Sequence, residues 1–269
     1  MRILLADDQN EIRMMTTHQL ERSGHHVVAV ANGQEALDAL DREPFDAILM
    51  DEEMPVVSGL EALRAIRARE KEHGHTTIIA VTGYNSEPDR ERLLRAGFDS
   101  VLGKPFSLGA LEALLQAAPG NAPAAGDGEP AAAANQTPVA HLLERLGGDE
   151  KLARKMISTF LRDTPKRMAG IQKALQQKDG PGLASLAHAL KGLVSIFGAQ
   201  WARDHSQKLQ DQARSKDFHD LARVYEQLKE EIAELEANLR GYAGQSSSPR
   251  SGKSLKQKRR NPRPKRKAT

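Results

Sequence analysis

Five short apolar runs, each followed by a segment of helical period, leave the first 117 residues very few ways to fold. The runs are Arg2 to Ala6, Val27 to Val30, Ala47 to Met50, Thr77 to Val81 and Asp99 to Gly103. Ala47-Ile48-Leu49-Met50 is uninterrupted by any polar residue, the pattern of a strand buried on both faces. Between the runs, Ile12, Met15 and Leu20 recur at helical spacing, as do Ala36, Leu37 and Leu40, and then Leu60, Leu63 and Ile66. Leu111, Leu114 and Leu115 close the series. Asn32 and Ser86 stand where helices need N-caps, and a helix from Ser58 to Glu70 is expected. Strands alternating with helices predict an α/β fold, a doubly wound five-stranded parallel sheet covered on both faces.

In such a sheet the carboxyl ends of the strands share one edge, where ligands bind. Asp7 and Asp8 follow the first run, Asp51 ends the third, Thr82 the fourth and Lys104 the fifth. These groups should therefore converge. Three neighbouring carboxylates repel, by roughly 4 kcal/mol per pair at about 4 Å and an effective dielectric near 20. A hard divalent cation such as Mg²⁺, with Lys104 as a second positive charge, would hold them. That arrangement suits phosphoryl transfer. Asp51 would attack as nucleophile, the cation and Lys104 would stabilise the charged oxygens, and Thr82 would donate a hydrogen bond to one of them. A lone acid at a strand end is more often a turn former or helix cap, but five groups from four strands are hard to assemble by chance.

Asp7-Asp8, Asp51 with Met54-Pro55 and Gly59, Thr82 before a small residue, and Lys104-Pro105 together resemble a response-regulator receiver domain over residues 1–117. The resemblance implies a flavodoxin-like sheet. It implies that Asp8, Asp51 and the backbone carbonyl of Glu53 bind Mg²⁺ directly, with Asp7 acting mainly through water. Receivers often carry Tyr or Phe three residues before the lysine. Val101 stands there instead, so an aromatic rotamer switch is not expected.

Residues 118–138 are rich in Ala, Pro and Gly and lack large apolar side chains. They read as a flexible tether that holds two domains at high mutual concentration. From 139 to 244 every long segment has helical period, which predicts an all-α antiparallel bundle. Pro165 should bend or restart the helix that begins at Asp149. His188 lies mid-helix, off the Leu186/Leu190/Leu193 stripe, with Lys191 and Gly192 three and four residues on. Such an imidazole can reach into another protein's cleft, because Ala184, Ser185, Ala189 and Gly192 give it clearance. Lys191 offers charge to phosphoryl oxygens. The bland alternative is an exposed, inert histidine. The stretch 186–199, with the His, the Lys, the Gly and Gly198-Ala199, resembles a histidine phosphotransfer (HPt) domain. The resemblance implies phosphorylation of His188 with Lys191 as its helper. The other histidines, His141 and His205 among them, sit near loops or on polar faces and are expected to be idle.

Charge divides the chain. Residues 1–117 hold 12 Lys/Arg against 20 Asp/Glu, whereas residues 245–269 hold ten basic residues and no acid. The tail reads as disordered. It would allow weak, salt-sensitive contact with nucleic acid or another acidic surface, without base-specific recognition. There is no cysteine, which excludes disulfides and thiolate metal sites and fits a cytoplasmic protein. No apolar run approaches the roughly 20 residues of a membrane span. No Walker-type Gly-rich loop appears, so the chain should carry phosphate without drawing it from ATP. The expected function is a two-component phosphorelay protein that exchanges phosphoryl groups with a sensor histidine kinase and with other receiver or HPt proteins. The alternative is a response regulator in which Asp51 controls contacts of the bundle and tail while His188 stays silent.

Overall fold

A computed structural model describes residues 1–83, 87–104, 106–116 and 136–244. The Ser86 cap, Pro105, most of the tether and the basic tail lie outside the described residues. Five strands, β1 (Arg2–Ala6), β2 (His26–Val30), β3 (Ala47–Asp51), β4 (Thr77–Thr82) and β5 (Ser100–Gly103), form one parallel sheet in the order β2-β1-β3-β4-β5. Leu4 pairs with Ile48, and Ile48 with Ile78. Five helices alternate with the strands: α1 (Asn10–Arg22), α2 (Gly33–Leu40), α3 (Gly59–His73), α4 (Glu87–Ala96) and α5 (Leu108–Gln116).

The two-residue period of the strands sends alternate side chains to opposite faces. Leu4, Ile48, Met50 and Ile78 pack with Leu37, Leu63 and Leu93 on one face. Ile3, Leu5, Leu49, Ile79 and Val81 pack with Leu20, Leu111 and Leu114 on the other. Each side chain of this size that is fully buried contributes about 1.5–3 kcal/mol. Asn32 caps α2 by accepting from the Glu35 backbone N–H at 2.9 Å, and Ser58 with Glu61 forms a capping box on α3. α3 runs to His73, a turn beyond the Glu70 limit expected from sequence.

The second half comprises α6 (Pro138–Arg145), α7 (Glu150–Gln177), α8 (Gly180–Ser195), α9 (Gln200–Arg214) and α10 (Leu221–Ala243). Thr137 caps α6, so that helix starts on the last residue assigned to the tether. Phe160 and Phe197 meet edge to face at 4.8 Å between ring centroids and anchor the core. Pro165 does not restart the helix. α7 continues through Pro165 as a single 28-residue helix. Proline removes one intrahelical hydrogen bond, but the buried stripe of Met156, Ile157, Phe160, Met168 and Ile171 spans the position and packs both parts into the core of the bundle.

The two halves touch. Ile12 and Met15 of α1 belong to the hydrophobic core of the helical bundle, not to either face of the sheet. α1 also donates to the carboxyl end of α6, where backbone carbonyls lack intrahelical partners. Gln19 Nε2 reaches Arg145 O at 3.0 Å and Arg22 Nη1 reaches Leu146 O at 2.7 Å. In return, Arg145 Nη2 donates to Phe106 O at 3.2 Å.

Candidate functional site: an acidic cluster facing a buried histidine

The parallel sheet brings the expected groups to one edge. Oxygen atoms of Asp7, Asp8 and Asp51 lie within 4.8 Å of one another. Lys104 Nζ donates to Asp7 Oδ2 at 2.5 Å and to Asp51 Oδ2 at 2.6 Å. Asp7, Asp51 and Lys104 are buried, whereas Asp8 opens to solvent. The backbone N–H of Gln9 donates to Asp7 Oδ1 at 2.8 Å and orients that carboxylate. Burial raises Asp51 to about 7; Lys104 opposes the rise and Asp7 reinforces it. Burial, then repulsion from Asp7, raises Asp8. Burial alone would lower the Lys104 ammonium, but contact with Asp51 and Asp7 holds it well above its ordinary value. One lysine thus faces three carboxylates, and the all-oxygen donor set matches a hard divalent cation. Thr82 is buried beside the cluster, with Oγ1 donating to Glu52 Oε2 at 3.4 Å. Glu52 is held in turn by Arg92 at 2.6 Å.

His188 does not stand exposed as a free-reaching imidazole. It is 6% exposed, and groups from the other half of the chain, Gly83 and Glu53, lie against it together with Gln210 of its own half. A Cβ at Gly83, the residue after Thr82, would lie 2.8 Å from His188 Cε1 and 2.9 Å from Lys191 Nζ. A side chain there would have to push the imidazole and the lysine head aside. Lys191 Nζ donates to Gly83 O at 2.8 Å and to Gln207 Oε1 at 2.7 Å. Burial, together with the positive charges of Lys104, Lys191 and Arg214, lowers His188 to about 3. Burial likewise lowers Lys191 to about 8, with Asp211 and Glu53 opposing. Glu53 Oε2 lies 3.9 Å from His188 Nδ1, and Glu53 Oε1 accepts from Arg214 Nη2.

The sequence reading missed Gln210, whose Nε2 lies 3.0 Å from His188 Nδ1. That contact fixes the ring. With the amide as placed, Nδ1 accepts; with the amide reversed, its oxygen would take the Nδ1 proton and leave the Nε2 lone pair for attack. Gln207, Gln210 and Arg214 recur along α9 at helical spacing, but the groups they meet at this site, Lys191, His188 and Glu53, are on α8 and in the receiver half. No local pattern links them. Glu11 was also missed. It is 1% exposed, and Arg167 of α7 lies 3.4 Å from both of its oxygens. His141, expected near a loop or on a polar face, is buried against Gly198. His25, His75 and His205 pair with Glu112, Asp99 and Glu231 within their own halves.

Residues 3–116 match the family model of the response regulator receiver domain, and residues 155–238 match that of the Hpt domain. The virulence sensor protein BvgS of Bordetella parapertussis is 29% identical over 262 residues, covering 91% of this chain and 21% of that protein. The sensory/regulatory protein RpfC of Xanthomonas campestris pv. campestris is 29% identical over 267 residues, covering 93% of this chain and 36% of that protein. The chain therefore spans well under half the length of these relatives. Among solved structures, the receiver domain of a Pseudomonas aeruginosa sensor histidine kinase, with magnesium in its active site cleft, is 38% identical. It covers 43% of this chain and 93% of its own, with a TM-score of 0.39. With a parallel sheet that gathers acids and a lysine at one edge, and a helical bundle that carries the histidine, the chain belongs to the two-component phosphorelay family and joins a receiver domain to an Hpt domain.

Proposed function

We propose that Asp51 accepts a phosphoryl group, that His188 carries one, and that the two exchange it within one chain. The observation that carries this reading is the placement of His188 and Lys191 against Gly83, directly beside Thr82 and the acidic cluster. In transfer to the receiver, the bond between phosphorus and an imidazole nitrogen breaks as the bond to an Asp51 oxygen forms; the reverse step restores it. Lys104 and Thr82 would steady the charged oxygens in flight, and Lys191 would do so from the helical side. Gln210 would hold the ring with one nitrogen aimed at the cleft. The sheet and the helix fix both reacting groups, which favours in-line attack.

Asp8, Asp51 and the backbone carbonyl of Glu53 would hold Mg²⁺, with Asp7 acting through water. When bound, Mg²⁺ supplies positive charge to the phosphoryl oxygens. The working division is a receiver at 1–117, a tether at 118–138, an Hpt bundle at 139–244 and a basic tail at 245–269. Partners would be a sensor histidine kinase and other receiver or Hpt proteins, in the cytoplasm. Among the described residues no helix is long and apolar enough to cross a membrane. A regulator with a silent His188 is not favoured, because the second half matches the Hpt family model. Nothing in the relatives supports nucleic-acid contact by the tail.

The test uses the full chain, Mg²⁺ and a small acyl phosphate donor. Wild type should acquire acid-labile, base-stable label on His188. Asp51→Asn should lose all label, and His188→Gln should keep only base-labile acyl phosphate. If His188→Gln and wild type label identically, the second half of the reading fails.

A further inference from the structure

His188 is nearly covered, yet an Hpt histidine that serves other proteins must be reached by them. The cover is specific. Gly83 and Glu53 lie against the ring, and four receiver residues hold the halves together around it: Ile12 and Met15 enter the core of the bundle, Glu11 faces Arg167 at 3.4 Å, and Glu53 pairs with Arg214. Glu11 is on α1, and the guanidinium it faces, Arg167, is on the other half of the chain. Its burial to 1% therefore makes sense only with the halves joined. Ile12 and Met15 likewise find their apolar partners across the boundary. The helical half is shaped to match. Gly192 lets α1 approach α8 so closely that a Cβ there would meet the Gln9 amide at 2.8 Å and Ile12 Cδ1 at 3.0 Å.

We propose that Glu11, Ile12, Met15 and Glu53 make the chain's own receiver the resident occupant of the His188 face, so that another receiver reaches His188 only after the two halves part. Any such receiver must offer the same features: an apolar pair on its first helix, an acid for Arg167 and an acid for Arg214. The inference rests on the phosphotransfer reading for its purpose, but its evidence is the closed contact itself. Own-chain and onward transfer then alternate, because both use one surface. Tethering keeps the internal receiver at high effective concentration, so an external receiver wins by charge and shape match or by a change that loosens the internal pair.

The test involves no phosphoryl chemistry, so it stands or falls apart from Asp51–His188 exchange. Diethyl pyrocarbonate modifies accessible neutral imidazoles, and mass spectrometry of the full chain reads His188 against exposed His219. Glu11→Arg and Ile12→Asp each alter the receiver side only. Each should raise the relative rate at His188 tenfold or more, and Glu11→Arg combined with Arg167→Glu should return it toward wild type. The wild-type rate should not change on hundredfold dilution. Equal rates in wild type and both receiver variants would overturn the proposal. A wild-type rate that climbs on dilution would assign the cover to a second copy and overturn it as well.

Discussion

Val56 sits in the loop after β3 with φ of 69° and is 82% exposed. A left-handed backbone costs an L-residue about 1–2 kcal/mol, and a β-branched side chain suffers most. Glycine would remove that strain and return about 0.5–1 kcal/mol of chain entropy to the unfolded state. No buried contact is lost. Val56→Gly should stabilise the receiver by roughly 1 kcal/mol, raising its thermal midpoint by a few degrees in calorimetry. Asp51 makes a second prediction at this scale. Its folded value near 7 lies above its ordinary 3.8. Between those limits the folded protein keeps a proton that the unfolded chain has lost. Without divalent metal, stability should therefore fall as pH rises from about 4 to about 7, by up to about 1.4 kcal/mol per unit. Millimolar Mg²⁺ should flatten that slope, and Asp51→Asn should lack it; urea titrations across pH measure both. The strand-end acids and Lys104 were legible in the sequence, because a parallel sheet sends strand ends to one edge whatever its details. Gln210 was not, because its contact with His188 spans 22 residues and two helices.

Helices α7 and α8 show where periodic reading succeeds and where it misleads. The stripe from Met156 to Ile171 was readable, but Pro165 was expected to bend or restart the helix, and it does not restart it. Packing on both sides outweighs one lost hydrogen bond. An interior proline still costs about 3 kcal/mol relative to alanine, less the entropy it removes from the unfolded chain. Pro165→Ala should stabilise the bundle by about 1–2 kcal/mol, seen as a higher urea midpoint. Gly192 on α8 makes the opposite case. It was read as clearance for an exposed histidine, whereas its open side receives Gln9 and Ile12. Gly192→Val should wedge α1 from α8 and slow own-chain transfer tenfold or more. Helical content by circular dichroism should stay near wild type, because the added carbons meet the other half of the chain.

At the scale of the whole molecule, the closed form buries an imidazole that binds a proton much more weakly there. His188 is lowered to about 3 from an ordinary 6.5. Once the halves part, the ring would regain solvent and titrate near its ordinary value. Protons therefore favour the open form below about pH 6.5, increasingly so toward pH 3, and the closed form keeps its full share above pH 6.5. Small-angle scattering should show a larger radius of gyration at pH 5.5 than at pH 7.5. His188→Gln should show a smaller change, since an amide does not titrate.

Sequence alone determined the two domain types, the edge where the acids gather and the helix that carries the histidine. Each follows from local periodicity and from rules that hold for every parallel sheet and every amphipathic helix. Only the tertiary structure decided that the histidine is covered, by which helix, and through which charge pairs. Those contacts join residues more than a hundred positions apart, such as Glu11 with Arg167 and Glu53 with Arg214. Shape and charge match between two finished surfaces sets such contacts, and neither surface exists until its own domain has folded.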